Sequence, residues 1–145
     1  MNQSMDLDEI CKELDELHLM ARHAFLYRDI DAYRLMFTED LRYLQFDGKI
    51  IGLKQLLLDV SRQLSKFKSV DSEFIRESIA MNEDGTVSQV GRQRSTYSVS
   101  MLLFFTKTWR IDRRGKFTYR RSDDGWRVCE VQVMAETVKS QSLHS

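Results

Sequence analysis

Two ionisable residues of this sequence lie in apolar surroundings where they could transfer protons. His18 follows the apolar spacing of the first predicted helix, and Glu130 lies between valines in the segment WRVCEVQV. Burial of a carboxyl group among apolar side chains raises its pKa, which suits a general acid or base. His18 and Glu130 are therefore the candidate catalytic pair, provided that they meet across one pocket.

Each of the two residues also has a plainer interpretation. His18 can be a hydrogen-bonded histidine at the edge of the core. Glu130 can point outward, or it can form an ion pair with Arg94 or Arg121. The strand that carries Glu130 alternates evenly, so the residues themselves leave open which of its faces meets the core.

Metal and disulfide chemistry have little support in the sequence. The three histidines are His18, His23 and His144, and none of them shows metal-ligand spacing with a cysteine or carboxylate. Cys11 and Cys129 both lie in apolar patterns, which indicates reduced, buried thiols rather than a disulfide framework. We therefore predict no metal and no cofactor.

Composition indicates one ordinary globular domain. The 145 residues are 42% apolar and 30% charged with a net charge of zero, so no overall field attracts the chain to nucleic acid or membranes. Residues 1–40 are strongly acidic and residues 92–127 strongly basic, which fits either an anion site or an acidic helix beside a basic sheet. The longest apolar run, MLLFF, is too short to span a bilayer. The N-terminal residues lack a signal-peptide pattern, so we predict a cytoplasmic protein without a nucleic-acid or membrane partner.

The order of periodic segments predicts an α+β domain. Helical periodicity covers about 7–25, 28–37 and 53–67, a strand pattern covers 41–46, and strands follow from 69 onward with a break predicted at 113–115. We place the domain at residues 1–138 and a polar tail at 139–145. Several strands are apolar on both faces, which predicts a homodimer formed through the sheet.

Three stretches give the sequence a resemblance to the nuclear transport factor 2-like superfamily, and within it to the SnoaL-like branch related to polyketide cyclases and ketosteroid isomerases. They are RDIDAYRLMFTEDLRYLQFDGKIIG, the following LKQLLLDV, and the closing FTYRRSDDGWRVCEVQV. The resemblance implies a cone, in which a strongly bent, mostly antiparallel sheet wraps around three helices from the N-terminal half and leaves a pocket between them. It also implies that Glu130 turns inward and that His18 faces the pocket.

The residue sets of the best-known chemistries in this superfamily are not matched. The carboxylate base of isomerase-type members falls on Gln45, their oxyanion-donor tyrosine falls near Ala21, and the partner acid falls near Phe117. Dehydratase-type members use two histidines on strands, and this chain has none there.

The remaining polar and aromatic residues of the predicted pocket are candidates for binding a ligand. Aromatic residues there can be core or ligand stackers, and one inward arginine could bind a carboxylate or enolate bidentately. The predicted ligand-binding residues are Tyr43, Gln45, Arg94, Trp109, Phe117, Tyr119 and Trp126.

Two functions from different classes follow. The first is a pocket protein that binds a small apolar or aromatic carbonyl compound, with acid–base lyase, isomerase or cyclase chemistry at Glu130 and His18. The second is a non-catalytic dimeric assembly or accessory subunit that uses the outer sheet face. Nothing in the sequence shows whether the protein is an enzyme.

Overall fold

The computed structural model describes residues 6–102 and 105–144, and it has three helices followed mainly by strands. Helix α1 spans Leu7–Leu26, α2 spans Ile30–Arg34 and α3 spans Leu53–Lys66. The first two begin at aspartate caps: the side chain of Asp6 accepts the backbone N–H of Glu9, and that of Asp29 accepts the N–H of Ala32. The predicted three helices of the N-terminal half are confirmed.

Six strands form a single sheet in the order β2-β1-β6-β5-β4-β3. They span Phe37–Leu44 (β1), Ile50–Ile51 (β2), Ser69–Met81 (β3), Val87–Leu102 (β4), Phe105–Ser122 (β5) and Gly125–His144 (β6). Among the described strands only β1 and β6 run parallel, and every other neighbouring pair is antiparallel. The buried face of the sheet packs on α1 and α3, so the predicted α+β architecture, a mostly antiparallel curved sheet around the helices, is confirmed.

The break in the sheet predicted at 113–115 is not present, and the last strand extends into the segment predicted as a tail. The sequence around Gly115 was expected to be a turn, but β5 continues through it with only a shift of register beside Arg114. A Cβ at position 115 would lie 3.0 Å from the carbonyl oxygen of Gln132, so this glycine serves a close approach of two strands. The segment predicted as a polar tail is strand as far as His144 and pairs with the first residues of β5, and Ser145 lies outside the described residues.

A β-bulge in β6 settles which face of the last strand is buried. Tyr119 pairs with Val128 and Thr118 pairs with Glu130, so Cys129 is an extra residue without a partner on β5. Before the bulge Val128 faces the core with an exposed fraction of 0%, and after it Val131 does so with 1%. The inward face therefore changes from even to odd residue numbers at Cys129.

The expected orientation of this strand is consequently wrong in its second half. Glu130 pairs with Thr118 and Arg42, and all three belong to the outer face. An inward Glu130 would have placed Val131 and Val133 on the outer face, but both are buried in the core.

The predicted homodimer stays a prediction. Apolar side chains on the outer face include Ile75 and Met134, with exposed fractions of 42% and 37%, beside ion pairs such as Arg114 with Glu77. Within the described residues, none of the helices has the length and apolar character needed to cross a membrane.

Candidate functional site

A cavity of about 410 Å³ lies between the helices and the concave face of the sheet. Its walls are largely aromatic and aliphatic, contributed mainly by Phe25, Phe37, Leu56, Val60, Phe74 and Phe117. The exposed residues in its lining are Asp15, Leu19 and Glu73, so the cavity opens between α1 and β3. A cavity of this size with apolar walls and a few polar groups is typical of small-molecule sites.

His18 contacts this cavity and ends a chain of hydrogen bonds that begins at an ion pair. Asp15 holds Arg76 at 2.6 Å, and the Nε of Arg76 donates to the Oε1 of Gln89 at 2.7 Å. The Nε2 of Gln89 donates to the hydroxyl of Tyr119 at 2.6 Å, and that hydroxyl lies 2.5 Å from the Nε2 of His18. Gln89 and Tyr119 are almost completely buried, so the chain is shielded from water.

The direction of this chain fixes the tautomer of His18. Arginine can only donate, so the oxygen of the Gln89 amide points toward Arg76 and its NH₂ group toward Tyr119. Because the Tyr119 oxygen already accepts from Gln89, its own proton points to the Nε2 of His18. The remaining ring proton is then on Nδ1, which has no partner among the described residues and is not sealed from solvent. The N–H donor of His18 is therefore its Nδ1, and His18 is one of the residues that line the cavity.

Burial keeps this ring neutral. Desolvation is the main cause that lowers the pKa of His18 from 6.5 to about 4; Asp15 opposes the shift and Arg76 adds to it. Protonating Nε2 would also place a second donor against the Tyr119 hydroxyl, whose own proton would lose its acceptor. At neutral pH the ring is an uncharged donor.

Phe74 and a glycine hold the His18 ring in place. The two rings stack with centroids 4.1 Å apart at 16°. A Cβ at Gly91 would overlap the Phe74 ring and lie 2.7 Å from the carbonyl oxygen of Ile75. The absence of a side chain at position 91 is therefore what allows Phe74 to lie flat over the sheet beside His18.

The inner end of the cavity contains a second group of donors. Tyr33, Tyr43, Tyr97 and Arg113 all line it. Burial raises the pKa of all three tyrosines, so their hydroxyls stay protonated, and the positive charge of Arg113 partly offsets that rise. Arg113 uses its Nε to hold Glu136 at 2.8 Å, and its two terminal nitrogens make no hydrogen bond within the described residues.

Of the predicted site residues, the structure brings His18, Tyr43 and Phe117 to the cavity. Tyr119 lies behind His18 as its hydrogen-bond partner. Gln45 lines a second, adjoining cavity of about 480 Å³, which shares Tyr43, Leu56, Val60, Gln63 and Arg113 with the first.

The other predicted residues lie elsewhere. Trp126 is buried against α1 and donates to Glu13 at 2.9 Å, while Trp109 packs edge-on against Phe67. Arg94 is near Asp112 at 3.6 Å on the outer face, because its neighbours in β4 with odd numbers point inward. Glu130 does not line the cavity, since the bulge at Cys129 turns it outward.

Several residues of the site are not among the predicted ones, including Gln89, Arg76 and Arg113. The inward register of β4 would have indicated Gln89, and the regular alternation of β3 from Ser72 and Phe74 would have indicated Arg76, since the register shift in β3 comes only after it. Arg113 was assigned to a turn because of the glycine two residues later. Among the described residues, no cluster of three or more histidine, cysteine or acidic side chains could hold a metal ion.

Comparison with known proteins gives the fold but not a close relative. No protein-family model matches the sequence, and no curated protein matches it. A candidate aromatic ring hydroxylase of Novosphingobium aromaticivorans superposes with a TM-score of 0.75 at 18% identity, over 93% of this chain and 96% of that one.

Other solved structures superpose similarly. A candidate scytalone dehydratase of the same species gives a TM-score of 0.76 at 8% identity, over 94% of this chain and 89% of that one. A type 2 hexachlorocyclohexane dehydrochlorinase gives 0.68 at 11% identity, over 93% of both chains. A candidate dehydratase of Streptomyces avermitilis from the nuclear transport factor 2-like family gives a TM-score of 0.68 at 8% identity, over 87% of this chain and 96% of that one. The chain therefore has the nuclear transport factor 2-like fold.

Proposed function

We propose that the protein binds a small apolar or aromatic carbonyl compound in the cavity between the helices and the sheet, and that His18 donates a hydrogen bond to the carbonyl oxygen. The observation that carries the proposal is the hydrogen-bond chain from Arg76 through Gln89 and Tyr119, which leaves the Nδ1 proton of His18 free to meet a ligand. Three enzymes or candidate enzymes of the same fold, a dehydrochlorinase and two dehydratases, support a pocket that handles small molecules.

A neutral imidazole that donates to a carbonyl oxygen favours chemistry at the neighbouring carbon. Polarising the carbonyl makes the adjacent C–H more acidic, which is the first step of many isomerase, lyase and cyclase reactions. His18 cannot remove that proton itself, because its Nδ1 already carries one and its Nε2 faces Tyr119.

The proton acceptor in this proposal is Glu73, an exposed residue of the edge strand β3 that alternates with the inward Ser72 and Phe74 and reaches the opening of the cavity around the edge of the sheet. Asp15 and Glu73 are the carboxylates that line the cavity. Asp15 is held by Arg76 at 2.6 Å, whereas Glu73 forms no ion pair within 4 Å among those found in the described chain. Glu73 is exposed at the opening, in contact with water.

A binding experiment with a ketone tests the first step. Titration calorimetry of 4-ethylacetophenone into the wild type should show saturable binding. His18→Phe, which keeps a ring against Phe74 but has no N–H, should bind about five- to tenfold more weakly, the cost of one hydrogen bond. His18→Gln retains an N–H donor and should recover most of the affinity. Equal affinity in the wild type and His18→Phe would contradict the role of His18.

Exchange at the carbon beside the carbonyl tests the second step. In D₂O the wild type should accelerate deuterium incorporation into the acetyl methyl group, followed by proton NMR. Glu73→Gln should lose most of this acceleration while binding the ketone normally. Binding without any acceleration in the wild type would instead favour the alternative function, a non-catalytic module.

A further inference from the structure

The inner end of the cavity has donors that the proposed role of His18 does not use. The hydroxyls of Tyr33 and Tyr43 have no hydrogen-bond partner among the described residues, and neither is sealed from solvent. Tyr97 makes a long contact of 3.5 Å with Gln63 and also interacts with Ser95. An apolar cavity that ends in several unpartnered donors is suited to a ligand with an acceptor oxygen at that end.

This inner group is well separated from His18. His18 and Phe25 lie on the same face of α1, seven residues apart, which corresponds to about 10 Å along a helix. The ring of Phe25 is 6.0 Å from that of Tyr33 and 6.2 Å from that of Tyr97, so the tyrosines lie two turns beyond His18. One carbonyl oxygen therefore cannot contact both ends.

The charges around the cavity decide against an anionic ligand. Arg22 is paired with Asp71 at 2.9 Å and Arg113 with Glu136 at 2.8 Å, so both arginines of the lining are already neutralised. The lining also contains the carboxylate of Glu73. A carboxylate entering the cavity would lose its hydration without meeting an unbalanced positive charge, whereas a neutral carbonyl would satisfy the donors at no such cost.

We propose that Tyr33, Tyr43 and Arg113 form a second oxygen subsite, and that the ligand is a neutral compound with two acceptor oxygens at opposite ends of an aromatic or apolar body. The proposal rests on the proposed function, since His18 holds the first oxygen. The hydroxyls of the two tyrosines and a terminal nitrogen of Arg113 donate to the second oxygen, while Glu136 keeps the guanidinium oriented through its Nε.

Three probes of similar shape test the subsite by titration calorimetry. 1,4-Diacetylbenzene carries two carbonyl oxygens, 4-ethylacetophenone lacks one of them, and 4-acetylbenzoate replaces one acetyl group by a carboxylate. The wild type should bind 1,4-diacetylbenzene about tenfold more tightly than 4-ethylacetophenone, and 4-acetylbenzoate no more tightly than 4-ethylacetophenone.

Tyr43→Phe should remove the advantage of the second oxygen. Its affinity for 1,4-diacetylbenzene should fall about five- to tenfold, while its affinity for 4-ethylacetophenone changes less than twofold because that single oxygen remains at His18. Tyr27→Phe is the matched control, since Tyr27 is 82% exposed and does not line the cavity. Thermal melting monitored by circular dichroism verifies that both variants are folded.

The outcomes separate this proposal from the proposed function. If the wild type binds 1,4-diacetylbenzene and 4-ethylacetophenone equally, the second subsite is wrong and the role of His18 is unaffected. Tighter binding of 4-acetylbenzoate than of 1,4-diacetylbenzene would show that the subsite prefers an anion, contrary to the charge argument. Failure of all three probes to bind would overturn the proposed function and the subsite together.

Discussion

The buried imidazole of His18 should make the stability of the protein fall between neutral and weakly acid pH. Its pKa is about 4 in the folded chain and about 6.5 in an unfolded one. Since the folded pKa is the lower one, the unfolded state binds a proton first as the pH decreases. The stability that the neutral His18 contributes to the folded chain is thus complete above about pH 6.5 and is lost progressively down to about pH 4.

The size of this effect follows from the two pKa values. At pH 5 the preferential protonation of the unfolded chain lowers the free energy of unfolding by about 2 kcal/mol relative to pH 7.5. Carboxylates elsewhere also titrate in this range, so the wild type alone does not isolate His18. The variant His18→Gln has no titratable group at this position and keeps a polar side chain for Tyr119. The difference in pH dependence between the wild type and this variant therefore measures the contribution of His18.

The assay is urea denaturation at pH 7.5 and pH 5, monitored by circular dichroism. Between pH 7.5 and pH 5, the free energy of unfolding should fall by about 2 kcal/mol more in the wild type than in His18→Gln. His23→Gln, which changes an exposed histidine on the same helix, should behave like the wild type. The argument for a desolvated, neutral His18 would be refuted if the wild type and His18→Gln lost the same amount.

Two further variants test the packing of the site. Glu130→Gln should leave both ketone binding and deuterium exchange unchanged, because Glu130 is on the outer face; a large loss of either would contradict the register at the bulge. Gly91→Ala should lower the free energy of unfolding by about 1–3 kcal/mol and weaken ketone binding, because the new methyl group overlaps the ring of Phe74 beside His18. Urea denaturation and calorimetry measure the two effects, and a fully stable Gly91→Ala protein would contradict the close packing.

Local patterns were sufficient to predict most elements of the fold. The apolar period of 7–25 predicted α1, because a helix that packs on one side needs apolar residues every three or four positions. Long alternating segments after residue 68 predicted the strands, because successive side chains of a strand point to opposite faces of the sheet. The resemblance then supplied the arrangement of a bent sheet around the helices, which local periodicity cannot determine.

The site was harder to predict because it depends on register between strands. The alternation in WRVCEVQV is even, and nothing in it marks Cys129 as an extra residue; only the pairing of Thr118 with Glu130 shows it. Similarly, the run RRG resembles a turn, although it continues a strand whose inward residue is Arg113. A shift of one residue exchanges the two faces of a strand, so such positions follow from tertiary structure rather than from sequence.

The bulge at Cys129 also determines which chemistry the cavity can support. Had β6 continued its even alternation, Glu130 would have followed Val128 into the core and supplied a buried carboxylate. With the bulge, Val131 occupies that side of the sheet with an exposed fraction of 1%, and the tyrosines, His18 and Arg113 line the cavity as donors. A cavity lined by donors stabilises developing negative charge on a ligand oxygen. In the proposed reaction the proton acceptor therefore comes from the opening, as Glu73. The position of one unpaired residue in β6 thereby favours polarisation of a carbonyl over acid–base exchange by a buried pair.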